Sequence, residues 1–404
     1  MHPADQRRLL ADVESFCLEL REHEELCYVE HRFNHHLIPL AQKYNILGMP
    51  VPTEYGGRGA STVAYAKALA RIGQEGTGVR TFFSGHTSIG QYPIMTWGSE
   101  EQKQRFLPPS CRGEKILAFG LTEPDAGSNP LEMTSTYEKK QDHYLLNGVK
   151  YLISNAGIAT TIVVFAYPKE APSPPAPLPA GERGARRISA FIIEVDSASV
   201  EREDLLAKVG MPTANTGMFS MNELQIPLHN LLGPEGDGFR IAMGTLVSGR
   251  LSVAAGCLGV IEDCLIESVR YAKERVQHGK VIGKHQLVQE HLAAIEMARV
   301  TSEALVLKAA EAKDASHAEP HNTELRARAE LLAAQAKLHA SNAAWQAADN
   351  AVQVFGGRGW STLYRPGRHL MDVRVCRIYE GTDEILKLKI AASLLGGKEY
   401  EAFK

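Results

Sequence analysis

The sequence of 404 residues lacks several features that would assign it to a class at once. Its formal net charge is only -3, which gives no electrostatic argument for nucleic acid or an anionic membrane as a partner. No uninterrupted apolar run approaches the ~18–20 residues that a bilayer-spanning helix needs. The N-terminus turns acidic and amphipathic where a signal peptide would stay apolar. These absences predict a cytoplasmic protein with no membrane or nucleic-acid partner.

The usual metal and nucleotide motifs are missing as well. The six cysteines form no C-x-x-C pair and no His/Cys cluster with zinc spacing, so no metal site is predicted. There is no P-loop, nucleophile elbow or HExxH, and no GxGxxG between a strand and a helix. The segment Gly356-Gly-Arg-Gly359 follows a helical pattern instead of a strand. A nucleotide cofactor would therefore have to bind by a scheme other than the Rossmann one.

Hydrophobic periodicity divides the chain into three zones, which predict three domains. Residues 1–115 show helical spacing, for example at Leu9, Val13 and Phe16. Residues 116–235 read as strands, and residues 236–404 return to helical spacing. The predicted fold is mainly α, with a central antiparallel β domain between an N-terminal helical domain and a C-terminal helix bundle.

Several local patterns refine this layout. In the β zone, Asn147-Gly148 between apolar runs predicts a hairpin turn, and residues 161–167 and 188–195 predict buried strands. The proline-rich stretch 168–187 predicts an extended surface loop, either a tolerated insertion or a docking site for a proline-reading partner. In the last zone, one apolar stripe is predicted to face the bundle interior: Val288, Leu292, Ile295, Ala298, Ser302, Leu305 and Ala309. An alanine-rich helix is predicted from about Thr323 to Gly356-Gly357.

Four segments carry the chemistry. Phe119 to Ser128 is a loop rich in hydroxyls and turn residues, and Tyr151 to Asn155 ends a predicted strand. Gln353 to Gly359 contains glycines that let backbone amides approach an anion closely. Arg377 to Glu384 presents the carboxylate of Glu380 beside a glycine. Each has an ordinary structural explanation in isolation, such as a helix start or a C-cap; their conjunction and order favour function.

Together these segments resemble the acyl-CoA dehydrogenase family, over about residues 47–395. The resemblance implies a small β-barrel or sandwich as the middle domain and a four-helix bundle at the C-terminus. It implies FAD as the cofactor and the α,β-dehydrogenation of an acyl thioester, an acyl-CoA becoming a trans-2-enoyl-CoA. It also implies an electron-transfer flavoprotein as the electron acceptor and a homo-oligomer, namely a tetramer.

The resemblance assigns roles to individual residues. Phe119, Leu121 and Thr122 match positions that line the flavin, and Ser154 matches the residue near the reactive flavin nitrogen. Ser128 matches a residue near a flavin phosphate or the thioester arm, and so counts for cofactor and substrate alike. Residues that match contacts to a neighbouring subunit's FAD, or to its adenosine part, are Arg275, Gln286, Gln353, Gly357, Thr382 and Glu384. Arg250, Tyr379 and Gly381 match the substrate side.

Glu380 is predicted to be the base that removes the α-proton, with its own N–H holding the thioester carbonyl. Some relatives carry this glutamate just before the position of Arg250, where this chain has Gly249. Three departures from the family pattern stand out: Leu152 replaces a tryptophan that packs on the flavin, His278 replaces a phenylalanine that meets the partner subunit's FAD, and Ala392 replaces an arginine near the CoA.

Three alternatives to an acyl-CoA dehydrogenase stay open from the sequence. The missing arginine at Ala392 suggests a dehydrogenase of acyl or aminoacyl groups tethered to a carrier protein. A flavin monooxygenase of the same family is a second alternative, although the presence of Glu380 argues against it. A flavin-binding paralogue without turnover is the third. His86, His285 and Trp345 are interpreted as packing or surface residues.

Overall fold

The computed structural model describes residues 2–169, 188–195, 199–397 and 400, and its first part is helical. The helices are α1 (Pro3–Val29), α2 (Leu37–Lys43), α3 (Thr62–Gln74), α4 (Thr77–Phe83), α5 (Tyr92–Trp97) and α6 (Glu100–Cys111). A π-helix, Ser84–Gln91, joins α4 to α5 without a break. Because π-helical turns are rare and often lie at functional sites, this segment is a candidate for a functional role.

Ten strands follow, of which eight form the middle sheet. They are β1 (Leu117–Gly120), β2 (Thr136–Lys139), β3 (His143–Ser154), β4 (Thr161–Pro168), β5 (Ser189–Glu194), β6 (Val200–Asp204), β7 (Thr216–Pro227) and β8 (Leu231–Leu232). The order is β6-β7-β3-β2-β4-β5-β8, and β1 pairs with β4. The predicted strands 161–167 and 188–195 are present as β4 and β5. The predicted proline-rich loop between them lies, from residue 170 to residue 187, outside the described residues.

The sheet is not purely antiparallel, contrary to the expectation from sequence. β1 and β2 both run parallel to β4, whereas the other pairs in the sheet are antiparallel. A parallel neighbour needs a crossover, and the intervening chain supplies it because β3 lies between β2 and β4 in sequence. The crossover places the end of β1, with Phe119 and the loop after it, beside β3.

The predicted hairpin turn at Asn147-Gly148 is wrong. Both residues lie inside β3, where the pairing with β7 shifts register between Leu146 and Gly148. Gly148 has φ 145°, and a Cβ at this position would come within 2.1 Å of Ser135 Oγ. The glycine therefore allows the backbone of β3 to approach Ser135 closely at a β-bulge. A bulge of this kind and a hairpin turn share the same sequence signature.

The C-terminal part is built on three long helices. They are α7 (Gly238–Glu274), α8 (Gln286–Ala318) and α9 (Thr323–Phe355), followed by α10 (Arg365–Val373) and α11 (Asp383–Leu395); a two-stranded hairpin, β9 (Val276–Gln277) and β10 (Lys280–Val281), links α7 to α8. The predicted stripe on α8 is confirmed, with Ile295, Ser302 and Ala309 fully buried. The alanine-rich helix begins and ends where the sequence predicted.

The helices at the two ends of the chain share one hydrophobic core. Phe16 of α1, Leu69 of α3, Val260 of α7 and Ala344 of α9 belong to the same buried cluster. Within the described residues, α7 is the one helix long and apolar enough to cross a bilayer, and 89% of its most apolar stretch is buried among its neighbours. Buried core helices share this composition, and α7 has the position of such a helix.

Candidate active site

Glu380 lies in a tight turn between α10 and α11. Its φ of 57° and the φ of 97° at Gly381 place two consecutive residues in the left-handed region. A non-glycine residue in this region costs of order 1–3 kcal/mol and persists only when its surroundings hold it there. The next residue, Thr382, is the N-cap of α11 and accepts a hydrogen bond from Ile385 N–H at 3.3 Å.

The carboxylate of Glu380 faces the interior, although the residue as a whole is only half-buried. Its Oε2 is buried and has no hydrogen-bond partner within the described chain. Burial raises the pKa of Glu380 to about 7, and the charges of Arg250, Lys337 and Arg80 oppose that rise. A desolvated carboxylate with a pKa near neutrality is suited to accept a proton from a weak carbon acid.

Space for this carboxylate comes from α7. A Cβ on Gly249 would lie 2.3 Å from Oε2 and 2.8 Å from Oε1 of Glu380. Real Cβ atoms do not approach other atoms so closely, so only glycine fits at this position while Glu380 keeps its place. Some family members carry the catalytic glutamate at the position of Gly249. In this chain, the Glu380 carboxylate fills the space that a side chain at position 249 would need.

Three buried cations hold the turn without hydrogen-bonding to the carboxylate. Arg250 Nε of α7 donates to the carbonyl oxygen of Glu380 at 3.1 Å. Lys337 Nζ of α9 donates to the carbonyl oxygen of Gly381 at 2.7 Å. Arg80 Nη2 of α4 hydrogen-bonds to the hydroxyl of Tyr379. The predicted substrate-side residues Arg250, Tyr379 and Gly381 are therefore brought together with Glu380.

Arg80 and Lys337 belong to this site but were not predicted from the sequence. A signal was present for both of them. Lys337 interrupts the buried alanine stripe of α9, between Ala333 and Ala340. Arg80 stands in a run of apolar residues in which Val79 and Phe82 are also buried. A charge within an otherwise buried stripe indicates either a paired core residue or a functional one.

The predicted flavin-lining residues meet at one end of the sheet. Phe119 is the last residue but one of β1, and Leu121 and Thr122 follow the strand. The carbonyl oxygen of Thr122 accepts a hydrogen bond from Tyr151 N–H at 2.9 Å. The contact places Thr122 beside the last residues of β3. There, Leu152 has φ 58° and a side chain that is half exposed. Ser154 is half-buried at the strand end.

These residues fit a flavin ring, although the structure contains no ligand. The side-chain hydroxyls of Thr122 and Ser154 form no hydrogen bond within the described chain, so both can bind a ligand. Leu152 offers an apolar surface between them. Glu123, in contrast, is engaged structurally because it is buried and accepts a hydrogen bond from Lys150 Nζ at 2.7 Å. Ser128 lies exposed on the loop after it.

The segment from α4 into the π-helix connects the two halves of the site. Arg80 at its start contacts Tyr379, as described above. Further along, Phe82 accepts a hydrogen bond through its carbonyl from Asn155 Nδ2 at 3.1 Å. His86 Nδ1 accepts one from Leu117 N–H at 3.0 Å. One continuous helical segment therefore runs from the Glu380 turn to the start of β1 and the end of β3.

The remaining predicted cofactor contacts lie elsewhere, at one end of the helical bundle. This end of the bundle is formed by the C-terminus of α7, the hairpin after it, the start of α8 and the end of α9. The predicted contacts that lie there are Arg275, His278, Gln286, Gln353 and Gly357. Apart from the half-buried Arg275, these residues are exposed, and the Arg275 side chain has no partner within the described chain. None of their recorded contacts is with Glu380 or the sheet. Glu384 is exposed on the first turn of α11.

Comparison with known proteins assigns the family. Residues 3–114, 118–224 and 236–395 match, in order, the acyl-CoA dehydrogenase N-terminal, middle and C-terminal domains. A curated acyl-CoA dehydrogenase from Bacillus subtilis (strain 168) is 39% identical over 365 residues, covering 90% of this chain and 91% of that protein. The chain belongs to the acyl-CoA dehydrogenase family.

Solved structures agree with this assignment. The butyryl-CoA dehydrogenase of Megasphaera elsdenii superposes with a TM-score of 0.87 at 33% identity, covering 98% of this chain and 99% of that one. A chain from a structure titled for the electron transferring flavoprotein of Acidaminococcus fermentans gives a TM-score of 0.89 at 33% identity, with the same coverage. The expected order of helical, β and helical parts is confirmed.

Proposed function

We propose that this protein is an FAD-dependent dehydrogenase that introduces a double bond between the α and β carbons of an acyl thioester, with Glu380 as the base. The observation that carries the proposal is the buried, unpartnered Oε2 of Glu380, held over Gly249. Family membership supports the reaction class. An acyl-CoA dehydrogenase of Bacillus anthracis that is 28% identical, with a TM-score of 0.86, was solved in complex with FAD.

The chemistry requires a base, a hydrogen-bond donor for the thioester oxygen and a hydride acceptor. The α-proton of a thioester is a weak acid, and Glu380 takes it as the carboxylate becomes neutral. The backbone N–H of Glu380 is the proposed donor to the thioester carbonyl, where negative charge develops as the proton leaves. When bound, FAD supplies the acceptor for the β-hydride. Thr122, Leu152 and Ser154 would hold its ring.

The position of the Glu380 carboxylate is as important for catalysis as its chemical identity. The three cations described above bond to the turn's backbone carbonyls and to the Tyr379 hydroxyl, so the carboxylate remains free to accept the proton. Positioning of a reacting group is worth several kcal/mol in enzymes. Arg250 and Lys337 are accordingly positioning residues, since their recorded hydrogen bonds are to backbone oxygens.

The carrier of the acyl group has two candidates. CoA is favoured by the family assignment and by the named relatives. A carrier protein is favoured by Ala392, which is buried in α11 and takes the place of a cation near the CoA in the family. The prolyl acyl carrier protein oxidase AnaB, 29% identical with a TM-score of 0.86, is a structural neighbour whose name mentions a carrier protein.

We further propose an electron-transfer flavoprotein as the electron acceptor and a homo-oligomer, a tetramer, as the working assembly. The residues at this end of the bundle, exposed except for the half-buried Arg275, support the proposal of a homo-oligomer. Arg275, Gln286 and Gln353 lie together there, and the Arg275 side chain forms no ion pair or hydrogen bond within the described chain. In the family, the matching residues reach the FAD of a neighbouring subunit, which explains an unpaired cation at a surface.

The experiment that tests the function is Glu380→Gln, which keeps the shape of the side chain and removes the base. The FAD-loaded variant is mixed anaerobically with acyl thioesters and flavin bleaching is followed. We expect binding to persist and the reduction rate to fall by roughly 10²–10⁴-fold, the usual contribution of a general base. Glu22→Gln, which alters an exposed carboxylate on α1, is the matched control and should bleach normally. Near wild-type bleaching by Glu380→Gln would refute the assignment.

A further inference from the structure

Two buried cysteines meet behind the Glu380 turn. Cys376 lies in the short 3₁₀-helix Arg374–Arg377, four residues before Glu380, and Cys257 lies on α7. Each of them is at most 2% exposed, and the Cys257 thiol donates a hydrogen bond to the sulfur of Cys376. All six cysteines of the chain are free in this structure. The pair has no part in the proton transfer that Glu380 carries out.

The surroundings of Cys376 stabilise a thiolate. Its Sγ lies 3.1 Å from the Tyr379 hydroxyl, which can donate a hydrogen bond to it. The buried cations Arg80 and Lys337 also lie near enough to act on the sulfur. The hydrogen bond from Cys257 and these two charges hold the pKa of Cys376 below the usual range of a thiol, against the effect of burial. Because the thiolate is the nucleophilic form of cysteine, we expect Cys376 to be reactive.

The other thiols lack this combination of neighbours. The pKa of Cys257 is raised, chiefly by its hydrogen bond to Cys376, so Cys257 keeps its proton. Burial raises the pKa of the remaining cysteines, which are Cys17, Cys27, Cys111 and Cys264. One reactive sulfur with one protonated thiol in contact is the arrangement of an attacking and a resolving cysteine.

The charge of Arg80 lies directly beside this pair. A Cβ on Gly256, the residue before Cys257, would be 2.7 Å from Nε of Arg80. Within the described residues, Arg80 forms a hydrogen bond to the Tyr379 hydroxyl and no ion pair with a carboxylate. A buried charge without a counter-ion is strongly unfavourable. A thiolate at Cys376 supplies an anion that offsets it.

We propose that Cys376 is a site of oxidative modification, at which a peroxide oxidises the sulfur and Cys257 then closes a disulfide. In the first step, the Cys376 thiolate attacks one oxygen of hydrogen peroxide and the O–O bond breaks. The sulfur becomes a sulfenic acid, and the other oxygen leaves as hydroxide and takes up a proton to form water. In the second step, the sulfur of Cys257 displaces the sulfenic hydroxyl, which leaves with the Cys257 proton as a second water. The two sulfurs lose two electrons in all, and the peroxide accepts them.

A peroxide can reach this sulfur by the route that the substrate uses. In the proposed function, an acyl group has to reach the Glu380 carboxylate, whose Oε2 has no partner within the described chain. Tyr379, which precedes Glu380, contacts the sulfur of Cys376. Since a peroxide is smaller than an acyl group, a site that admits the substrate admits the oxidant as well. This step of the inference rests on the proposed function.

A disulfide would change the Glu380 turn in two ways. A covalent bond brings the two sulfurs closer together than a hydrogen bond does, so it draws the segment of Cys376 towards α7. It also removes the thiolate that accepts a hydrogen bond from Tyr379 and offsets the nearby cations. Both changes fall beside the base, and a misplacement of about 1 Å lowers a rate by roughly 10²-fold. Oxidation is therefore expected to switch off flavin reduction, and reduction of the disulfide to restore it.

The test exposes the FAD-loaded protein to hydrogen peroxide without substrate. Thiols are then counted after denaturation, and peptides are mapped without a reductant. We expect two of the six thiols to be lost to a cross-link between Cys257 and Cys376. After removal of the peroxide, the rate of flavin reduction by thioester should be about 10²-fold lower, and a dithiol should restore it. Cys264→Ser, which changes another buried thiol of α7, is the matched control and should respond to peroxide as wild type does.

Two variants separate the roles of the sulfurs. Cys376→Ser should form no cross-link, and its rate should be the same before and after peroxide. Cys257→Ser cannot close the disulfide, so dimedone should trap its Cys376 as the sulfenic acid. Longer exposure should inactivate Cys257→Ser beyond recovery by the dithiol, because a sulfinic acid is not reduced by thiols.

The contrary outcomes are distinct. Retention of all six thiols after peroxide overturns the inference, as does a cross-link that joins other cysteines or an equal loss of rate in Cys376→Ser. If Cys376→Ser does not retain FAD, the wild-type peptide map and the trapping in Cys257→Ser decide. Failure of every thioester to reduce the flavin overturns the proposed function instead, and the peptide map, which needs no substrate, still decides this inference.

Discussion

Gly249 and Glu380 come closer than any side chain at position 249 would allow. A Cβ there would be 2.3 Å from Oε2 of the glutamate. We therefore expect Gly249→Ala to displace the carboxylate from its place and to lower the rate of flavin reduction by about 10²-fold, the cost of roughly an ångström of misplacement. FAD content and fold should be retained, because the clash involves a side chain that can move.

Stopped-flow flavin reduction checks this expectation. Ser268→Ala on the same helix is the control, since its buried hydroxyl has no hydrogen-bond partner in the described chain and its removal should change little. An unchanged rate in Gly249→Ala would mean that the carboxylate acts from another position than the one seen.

The pH dependence follows from the raised pKa of Glu380. The base works only as the carboxylate, so kcat/KM for flavin reduction should rise with pH and level off above about 7. Stability changes in the opposite direction. Because the folded pKa exceeds the unfolded one, the folded state binds more protons between about 4.5 and 7, and this contribution is lost as pH rises through that window. Thermal unfolding of wild type and Glu380→Gln from pH 5 to pH 8 should show a smaller loss in the variant.

Lys337 influences the base from α9. Its charge opposes the rise of the Glu380 pKa, and its Nζ donates to the carbonyl oxygen of Gly381 at 2.7 Å. Lys337→Met should therefore move the midpoint of the pH–rate profile upward and lower the plateau. Lys337→Arg restores the charge and should bring back the midpoint more fully than the plateau. A profile that merely scales down without a shift would show that the lysine acts through packing alone.

Arg275 is the C-cap residue of α7, and its side chain has no partner in the described part of the chain. If a neighbouring subunit's FAD uses it, Arg275→Ala should weaken FAD retention on dilution by about ten- to a hundredfold, as expected for one charge-assisted contact. The free energy of unfolding of the apoprotein should not change. Arg270→Ala, one turn earlier and paired with Glu267, is the control. Light scattering of the same samples checks the proposed tetramer.

Glu123 and Lys150 form a buried ion pair below the loop that contains Thr122. Both side chains are at most 3% exposed, and the two charged groups are 2.7 Å apart. Lys150→Met leaves the carboxylate alone in the interior and should destabilise the protein by about 3–5 kcal/mol. The double variant Glu123→Gln/Lys150→Met should recover much of that loss. Denaturant midpoints of the three proteins measure the effect; equal midpoints for the two variants would contradict it.

The sequence predicted those parts of the fold that depend on local periodicity. The stripe of α8, the bounds of α9 and the strands β4 and β5 follow from spacing that any buried helix or strand must show. The order of the strands could not be predicted, because β2 and β4 become neighbours through a crossover between distant segments. The hairpin turn predicted at Asn147-Gly148 was wrong because a hairpin turn and a bulge against Ser135 both require a glycine there. Only the pairing with distant strands distinguishes the two.

The candidate active site was likewise predicted from the sequence only in part. Glu380, Arg250, Tyr379 and Gly381 could be assigned because they lie in recognisable segments, and the structure brings them together. The charges of Arg80 and Lys337 stand out within apolar stripes, but this signal does not separate a paired core residue from a functional one. Their role could not be assigned, since it depends on packing that takes the cation out of water. Whether Arg275 or Gln353 reaches a cofactor depends on a second subunit, which a single chain does not supply.

The continuous run from α4 into the π-helix has a mechanical consequence. Arg80 is six residues from His86, so the helical segment that contacts the Glu380 turn through Arg80 also contacts β1 through His86. A displacement of this segment would therefore change the position of the base and the position of the flavin-lining strands together.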